Sequence, residues 1–317
     1  MSDLREAMQQ YLAIRRSLGF ELINADSTLR SFVAFAEREA ASHVTVDLAL
    51  RWVKLSTAKE SATLAGRLNI VRRFAIWRSA VDRRTEVPPK NLLPYRYYRK
   101  PPYIYSDEEI ERLVRTARKL PSPKKLRGLT YATLFGLLAA TGMRISEAVA
   151  LDREDVDLEE RLLNIRESKF RKSRLVPVHV STRDALADYA KDRDQIFPRS
   201  KSIAFFVSER GTRLTHWAAR DNFAMASRQI GIRKKIEGKR FGCGPRLHDM
   251  RHRFAARTLV DWYRSGIDVE CEIHKLSTYL GHAHVNDTYW YLEAVPELLE
   301  LATQKLMEER KEVGDDD

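Results

Sequence analysis

Leu280-Gly281-His282-Ala283-His284-Val285-Asn286-Asp287-Thr288-Tyr289-Trp290-Tyr291-Leu292 places two imidazoles and two phenols in one short stretch near the end of the chain. On a helix, Tyr289 and Tyr291 stand roughly 200° apart about the axis, so at most one of them can face a pocket holding His282. The stretch alone does not say which. Two earlier segments carry groups of the same kind, Leu247-His248-Asp249-Met250-Arg251-His252 and Thr141-Gly142-Met143-Arg144-Ile145-Ser146-Glu147. His248 and Arg251, three apart at the start of a helix, share one face and can address one substrate group together. Arg144 follows a helix-ending glycine, where a fixed guanidinium can fork onto two oxygens of a phosphate with Glu147 to orient it. A plain ion pair between Arg144 and Glu147 within one helix accounts for the same residues.

Composition narrows the partner. The 317 residues suit two domains, each with enough apolar residues for a core of its own. Lys and Arg number 56 against 44 Asp and Glu, a net charge of +12, and the pI is about 9.7. That balance points toward a polyanion, solvation charge being the bland alternative. Both candidate domains are basic, and an acidic tail from Glu293 onward masks the excess of the second. Cys243 and Cys271 offer neither a disulfide framework nor a structural zinc site, which fits the cytoplasm. The N-terminus lacks an apolar signal core, and no apolar run approaches the roughly 20 residues of a membrane helix, so secretion and membrane spanning are excluded.

Periodicity predicts a mainly α protein with a small β-sheet. Apolar residues at three and four spacing from Leu4 to Val81 predict four helices, with breaks at Gly19 and, by N-capping, at Asn24–Ser27 and Thr45. One helix carries Arg67, Arg72, Arg73 and Arg78, which can meet phosphates or form a solvated face. Prolines between Pro88 and Tyr105, with Arg96, Arg99 and Lys100 set among tyrosines, predict an extended linker that tracks a nucleic-acid backbone or serves as a packed spacer. The predicted domains are residues 1–95 and 106–317, joined by a basic linker at 96–105. Ser106-Asp107-Glu108-Glu109 reads as a capped helix start, and Leu126 to Thr141 as an apolar helix closed by Gly142, with a short helix over Met143 to Leu151. Leu162–Glu167 and Arg174–Val180 read as a hairpin whose tip, Ser168-Lys169-Phe170-Arg171-Lys172-Ser173, is basic. A further short strand is predicted at Ala204–Val207, helix starts at Ser181, Thr215 and near Leu247, and a basic Gly-rich loop over Ile232–Arg246.

Taken together, the Arg144 segment, the hairpin, His248-Asp249-Met250-Arg251-His252, and Leu280-Gly281-His282 followed nine residues later by Tyr291 resemble the tyrosine recombinase (phage integrase) family in order, spacing and context. The resemblance covers the whole second domain, implying an α+β catalytic domain, and the helical first domain resembles the family's core-binding (SAM-like) domain. It implies that Tyr291 is the nucleophile. Arg144 and Arg251 would clamp the scissile phosphate and stabilise the pentacoordinate transition state. Lys169 would protonate the leaving 5′ oxygen, with Lys172 as the alternative acid, because Phe170 stands where the family often has glycine. His248 would hydrogen-bond the phosphate and accept the nucleophile's proton, and His282 would add a phosphate contact. Met143 and Met250 depart slightly from the family pattern, where leucine is commoner. His179, His216, His252, His274 and His284 are assigned structural or surface places.

Because attack yields a 3′-phosphotyrosyl enzyme that keeps the bond's energy, no cofactor and no metal are expected. Expected partners are double-stranded DNA with paired sites, approached by a C-shaped clamp, and three further protomers in a synaptic homotetramer, with a related recombinase as a possible co-subunit. Arg67, Arg72, Arg73, Arg96, Arg99, Lys100, Arg171 and Lys172 are the candidate DNA contacts. The amphipathic segment Pro296–Lys311 is expected to dock on a neighbouring subunit or on its own domain. Two rival readings remain: a topoisomerase-like enzyme that nicks and reseals one duplex, and a DNA-binding accessory protein without catalysis, against which the intact Arg-Lys-His-Arg-His-Tyr set argues.

Overall fold

The computed structural model describes residues 3–58, 60–95, 101–166, 173–199 and 201–314. The chain divides into two compact units, Met1–Lys100 and Pro101–Asp317.

The first unit holds four helices, α1 (Asp3–Ser17), α2 (Ile23–Arg38), α3 (Val46–Lys54) and α4 (Ser61–Ser79). Leu4, Met8 and Leu12 of α1 recur at helical spacing and bury their side chains with Phe32, Val33, Trp52, Leu68, Val71 and Phe74. Thr45 caps α3 by accepting from the Leu48 N–H. The expected break over Asn24–Ser27 is a correction: α2 begins at Ile23 and runs through it, entered from Leu22 at φ +54°. Within that stretch Asp26 gives its carboxylate to Arg16 of α1 and to Arg30, one turn along α2.

The second unit is built around α6 (Leu126–Thr141), preceded by α5 (Asp107–Arg118) and followed by α7 (Ile145–Ala150). Eleven of the sixteen α6 residues are buried, as a helix apolar on all sides requires. Ser106 and Glu109 form a full capping box at the start of α5. Strands β1 (Val156–Asp157), β2 (Leu162–Ile165) and β3 (Arg174–Pro177) form an antiparallel sheet in that order. Leu163 pairs with Val176 and Ile165 with Arg174, so Leu163, Ile165 and Val176 share the buried face. The hairpin is therefore shorter than expected and carries a third strand. Its tip, including Lys169, Arg171 and Lys172, lies outside the described residues, as do Arg96, Arg99 and Lys100.

Beyond the sheet come α8 (Val180–Ile196), α9 (His216–Gln229), β4 (Lys234–Ile236), β5 (Lys239–Cys243), α10 (Asp249–Arg264), α11 (Val269–Leu280), α12 (Asn286–Ala294) and α13 (Pro296–Gly314). Helix α8 starts one residue before Ser181, with His179 as its cap, and Thr215 caps α9. The segment Ile232–Arg246 contains the hairpin β4–β5 and is not only a loop. Its β4 residues are all exposed, so no alternation of apolar residues marked it in the sequence. Ala204–Val207 is the converse case: it is fully buried yet forms only isolated bridges, to Asp152 and Arg213. Its backbone is satisfied by Leu151 O, the Tyr189 hydroxyl and Arg193 instead of a ladder.

A separate apolar cluster joins α10 to α13. Leu259, Leu276, Leu280, Tyr291, Val295 and Leu298 are buried together in it. Helix α12 is thus seated on α10 and α11 of its own chain. The first turn of α13 packs there too, through Leu298 and the ion pair of Glu297 with Arg264 at 2.7 Å. Leu299 and Met307 of α13 stay exposed.

Candidate active site

Two glycines in left-handed backbone organise the site. Gly142 ends α6 at φ +61° and Gly281 ends α11 at φ +67°. Each closes its helix with a conformation that side chains disfavour, and neither has room for one: a Cβ would lie 2.7 Å from Phe254 Cδ1 or 2.8 Å from Arg174 Nη1. The last carbonyls of both helices are left without helical partners, at the negative end of the helix dipole. Guanidinium groups take them. Arg251 donates from Nη1 to Gly142 O at 3.0 Å and from Nη2 to Leu280 O at 2.7 Å. Arg144 donates from Nη2 to Gly281 O at 2.9 Å. Three chain segments that are distant in sequence meet at these carbonyls.

Glu147 fixes the second half of Arg144. Its Oε1 accepts from Arg144 Nη1 at 2.7 Å and its Oε2 from the Arg144 backbone N–H at 2.9 Å. The ion pair considered in the sequence as an alternative to a phosphate role therefore exists, and it orients the guanidinium. The same carboxylate accepts a fork from Arg174, Nη1 at 3.1 Å and Nη2 at 2.9 Å, while Arg174 Nε donates to Tyr279 O at 2.7 Å. Burial of Glu147 works against its charged form, but the hydrogen bonds and charge of Arg174 and Arg144 outweigh burial and hold its carboxyl below the ordinary range. Burial, with Arg144 nearby, pushes Arg251 down to about 10, which leaves it charged at neutral pH.

Tyr291 is the phenol that faces inward. It is 1% exposed against 39% for Tyr289. Its ring centroid lies 6.4 Å from that of His282, whose Nδ1 is 2.7 Å from Thr288 Oγ1. The Tyr291 hydroxyl meets His252 Nδ1 at 3.0 Å. The His252 ring in turn meets His248 edge-on at 4.7 Å. His248 is exposed as a residue, yet desolvation of its imidazole and then the charges of Arg251, Arg246 and Arg144 hold its pKa well below the ordinary value, with Asp249 opposing.

Sequence reasoning missed two residues here. Of the structural or surface place expected for His252 the structure shows the former: it is buried, and its Nδ1 lies within hydrogen-bond distance of the candidate nucleophile's hydroxyl. The signal was its spacing of four from His248, which sets both rings on one helix face. Arg174 carried a weaker one, an arginine at the inner end of a strand, opposite a buried Ile165. Among the remaining histidines, His179 caps α8, while His216, His274 and His284 are exposed.

In the first unit, Arg67 lies over the Trp52 ring at 4.3 Å. Arg72 and Arg73 line a cleft of about 410 Å³ together with Asn69, Lys90 and Tyr95. Arg78 is corrected as a phosphate candidate, because it is buried and faces Asp82 at 3.7 Å. Among the described residues no group of three or more His, Cys, Asp or Glu could hold a metal ion.

The model of the phage integrase family matches residues 104–297. The chain belongs to that family. Its members are the tyrosine recombinases, enzymes that cleave and rejoin DNA strands. The chain is 46% identical to the putative integrase/recombinase y4rB of Sinorhizobium fredii, over 96% of this chain and 98% of that protein. It is 39% identical to y4rE of the same organism, over 95% of each. A phage integrase fold is also evident in a crystal structure of the XerH site-specific recombinase bound to difH substrate, at a TM-score of 0.62 and 19% identity, over 90% of this chain and 81% of that one.

Proposed function

We propose that this chain is a site-specific tyrosine recombinase whose nucleophile is Tyr291. The phenol oxygen attacks the scissile phosphorus, the 5′ oxygen leaves, and a 3′-phosphotyrosyl enzyme holds the strand until another 5′ hydroxyl displaces it. Arg144 and Arg251 bind the non-bridging oxygens and stabilise the charge of the pentacoordinate transition state. His248 and His282 add hydrogen bonds to the phosphate, and Lys169 or Lys172 on the hairpin protonates the leaving oxygen. The observation that carries this reading is the convergence of Arg144 and Arg251 on carbonyls at the Gly142 and Gly281 helix ends, beside a buried Tyr291.

The substrate is duplex DNA with paired sites, exchanged by four protomers in the cytoplasm, in movement of a mobile element or resolution of dimers. The match to y4rB over nearly all of both chains supports an integrase or recombinase role. Residues 1–95 act as the core-binding domain, with Arg67, Arg72 and Arg73 at the backbone; residues 96–105 link it to the catalytic domain, 106–317. The test uses duplex sites selected by the protein from random DNA, then nicked near the cleavage position. Wild-type protein should form a covalent adduct that survives denaturation, and Tyr291→Phe should form none. A wild type without adduct on a bound site, or an adduct that persists in Tyr291→Phe, refutes the proposal.

A further inference from the structure

Nucleophilic attack by a phenol requires somewhere for its proton to go. A phenol of ordinary pKa near 10 is mostly protonated at neutral pH. Tyr291 is 1% exposed, so bulk water does not serve as its proton acceptor. His252 Nδ1 lies 3.0 Å from the phenol oxygen, within the range needed for direct proton transfer. His252 is itself only 5% exposed. Its ring also packs against Tyr291, at 5.5 Å between centroids, so the imidazole is fixed beside the phenol. The other two imidazoles are placed differently. His282 Nδ1 is engaged with Thr288 Oγ1 at 2.7 Å, and His248 is exposed, meeting His252 edge-on.

We propose that His252 is a catalytic residue of this chain, the group that takes the Tyr291 proton during cleavage and returns it during rejoining. The assignment rests on the recombinase reading above and moves the proton acceptor from His248, which keeps its phosphate contact. In the step, the Oη–H proton passes to His252 Nδ1 and the freed electron pair forms the Oη–P bond. The P–O5′ bond breaks, and the 5′ oxygen takes a proton from the hairpin lysine. In rejoining, the incoming 5′ hydroxyl gives its proton to the now neutral hairpin lysine and its oxygen bonds to phosphorus, while the Oη–P bond breaks and the imidazolium of His252 returns its proton to Oη. No oxidant or further reactant is needed.

The test separates taking a proton from merely holding the phenol. His252→Asn keeps a polar atom close to the Nδ1 position and can accept the hydroxyl's hydrogen bond, but it cannot take the proton. His252→Ala removes both functions. Adduct formation is timed on two nicked substrates, one with an ordinary 5′ oxygen at the scissile phosphate and one with sulfur bridging there. Sulfur leaves as a thiolate without protonation, so it relieves a defect in the general acid and not a defect in the base. Both variants should be slower than wild type by about 100-fold or more on both substrates, the range of general base catalysis. DNA binding and melting of His252→Asn should match wild type, and added imidazole should restore part of the rate to His252→Ala. The proposal is overturned if His252→Asn cleaves at the wild-type rate, if the sulfur substrate restores either variant, or if His252→Ala cleaves faster than wild type. An adduct in the wild type that is absent in Tyr291→Phe shows that the recombinase reading holds whatever the His252 variants do; without it, both fall.

Discussion

Replacing Arg174 by methionine should destabilise the second unit and misplace Arg144 at once. The side chain of Glu147 is 3% exposed and that of Arg174 is 9% exposed, so their fork is a buried ion pair. Methionine keeps most of the stem and deletes three donors, two to Glu147 and one to Tyr279 O. Breaking a buried pair from one side costs about 3–5 kcal/mol, because the surviving charge stays desolvated. Arg144 still faces the carboxylate, which favours the lower end of that range. For a unit of this size each kcal/mol moves the melting temperature by roughly 2–4 °C, so a drop on the order of 6–20 °C is expected at pH 7. The sign of the pH dependence follows from Glu147, whose folded-state pKa lies below the ordinary 4.5. Such a group contributes stability that is fully present above its unfolded pKa and lost as pH falls through the folded one. The gap between wild type and Arg174→Met should therefore narrow when both are melted below the ordinary carboxyl range. Adding Glu147→Gln removes the stranded charge, and the double variant should lose less than the sum of the two single ones. A melting shift under about 2 °C, or a gap that widens in acid, refutes the account of Glu147 as a carboxylate shared by two arginines.

Gly281→Ala should keep DNA binding but slow adduct formation on the order of tenfold to a hundredfold, since a Cβ at φ +67° lies 2.8 Å from Arg174 Nη1 and displaces the carbonyl that holds Arg144; an unchanged rate refutes the carbonyl's role. Tyr289→Phe should cleave near the wild-type rate, because Tyr289 is 39% exposed while Tyr291 is buried; loss of adduct in Tyr289→Phe would reassign the nucleophile. Affinity for a selected site should fall about 10³-fold or more between roughly 50 and 200 mM salt, as for a protein with roughly six or more phosphate contacts; a flat titration contradicts a phosphate clamp built from this chain's excess of basic residues.

The parts of the fold that were legible in the sequence are those where local chemistry and packing agree. Leu126–Thr141 is apolar on every side and ends at a glycine, and it forms the buried centre of the second unit. Ser106-Asp107-Glu108-Glu109 reads as a capped helix start, and α5 begins there with Ser106 as its cap. Legibility failed where a side chain found a tertiary partner. Asn24–Ser27 reads as a helix start, but α2 runs through it, and Arg16 of α1, with Arg30 one turn along α2, takes the Asp26 carboxylate. Ala204–Val207 reads as a strand, but Tyr189, Arg193 and Leu151 satisfy its backbone. The site follows the same rule. Arg144, His248, Arg251, His282 and Tyr291 could be picked out by spacing and resemblance. Arg174 could not, because its meaning depends on Glu147, which lies 27 residues away.

The arrangement of the arginines suggests why the two helices end where they do. A guanidinium that must grip a phosphate has to be held in place beforehand, or the cost of ordering it is subtracted from transition-state stabilisation. A carboxylate can hold it but also competes with the phosphate for its charge. A helix-end carbonyl orients it through a fixed dipole and leaves the net charge free. Arg251 is held by two such carbonyls and, among the described residues, donates no hydrogen bond to a carboxylate, Glu147 acting on it only through charge; in the proposed mechanism most of its charge is then left for the phosphate. Arg144 is held by one carbonyl and by Glu147, whose charge is divided with Arg174. Arg174 therefore has a second effect besides anchoring β3: it draws the carboxylate's charge away from Arg144. On this argument Glu147→Gln keeps a hydrogen bond to Arg144 and raises the net positive charge facing the DNA, so it should bind DNA more tightly while cleaving more slowly. A variant that loses binding and cleavage together would show that Glu147 serves the fold alone.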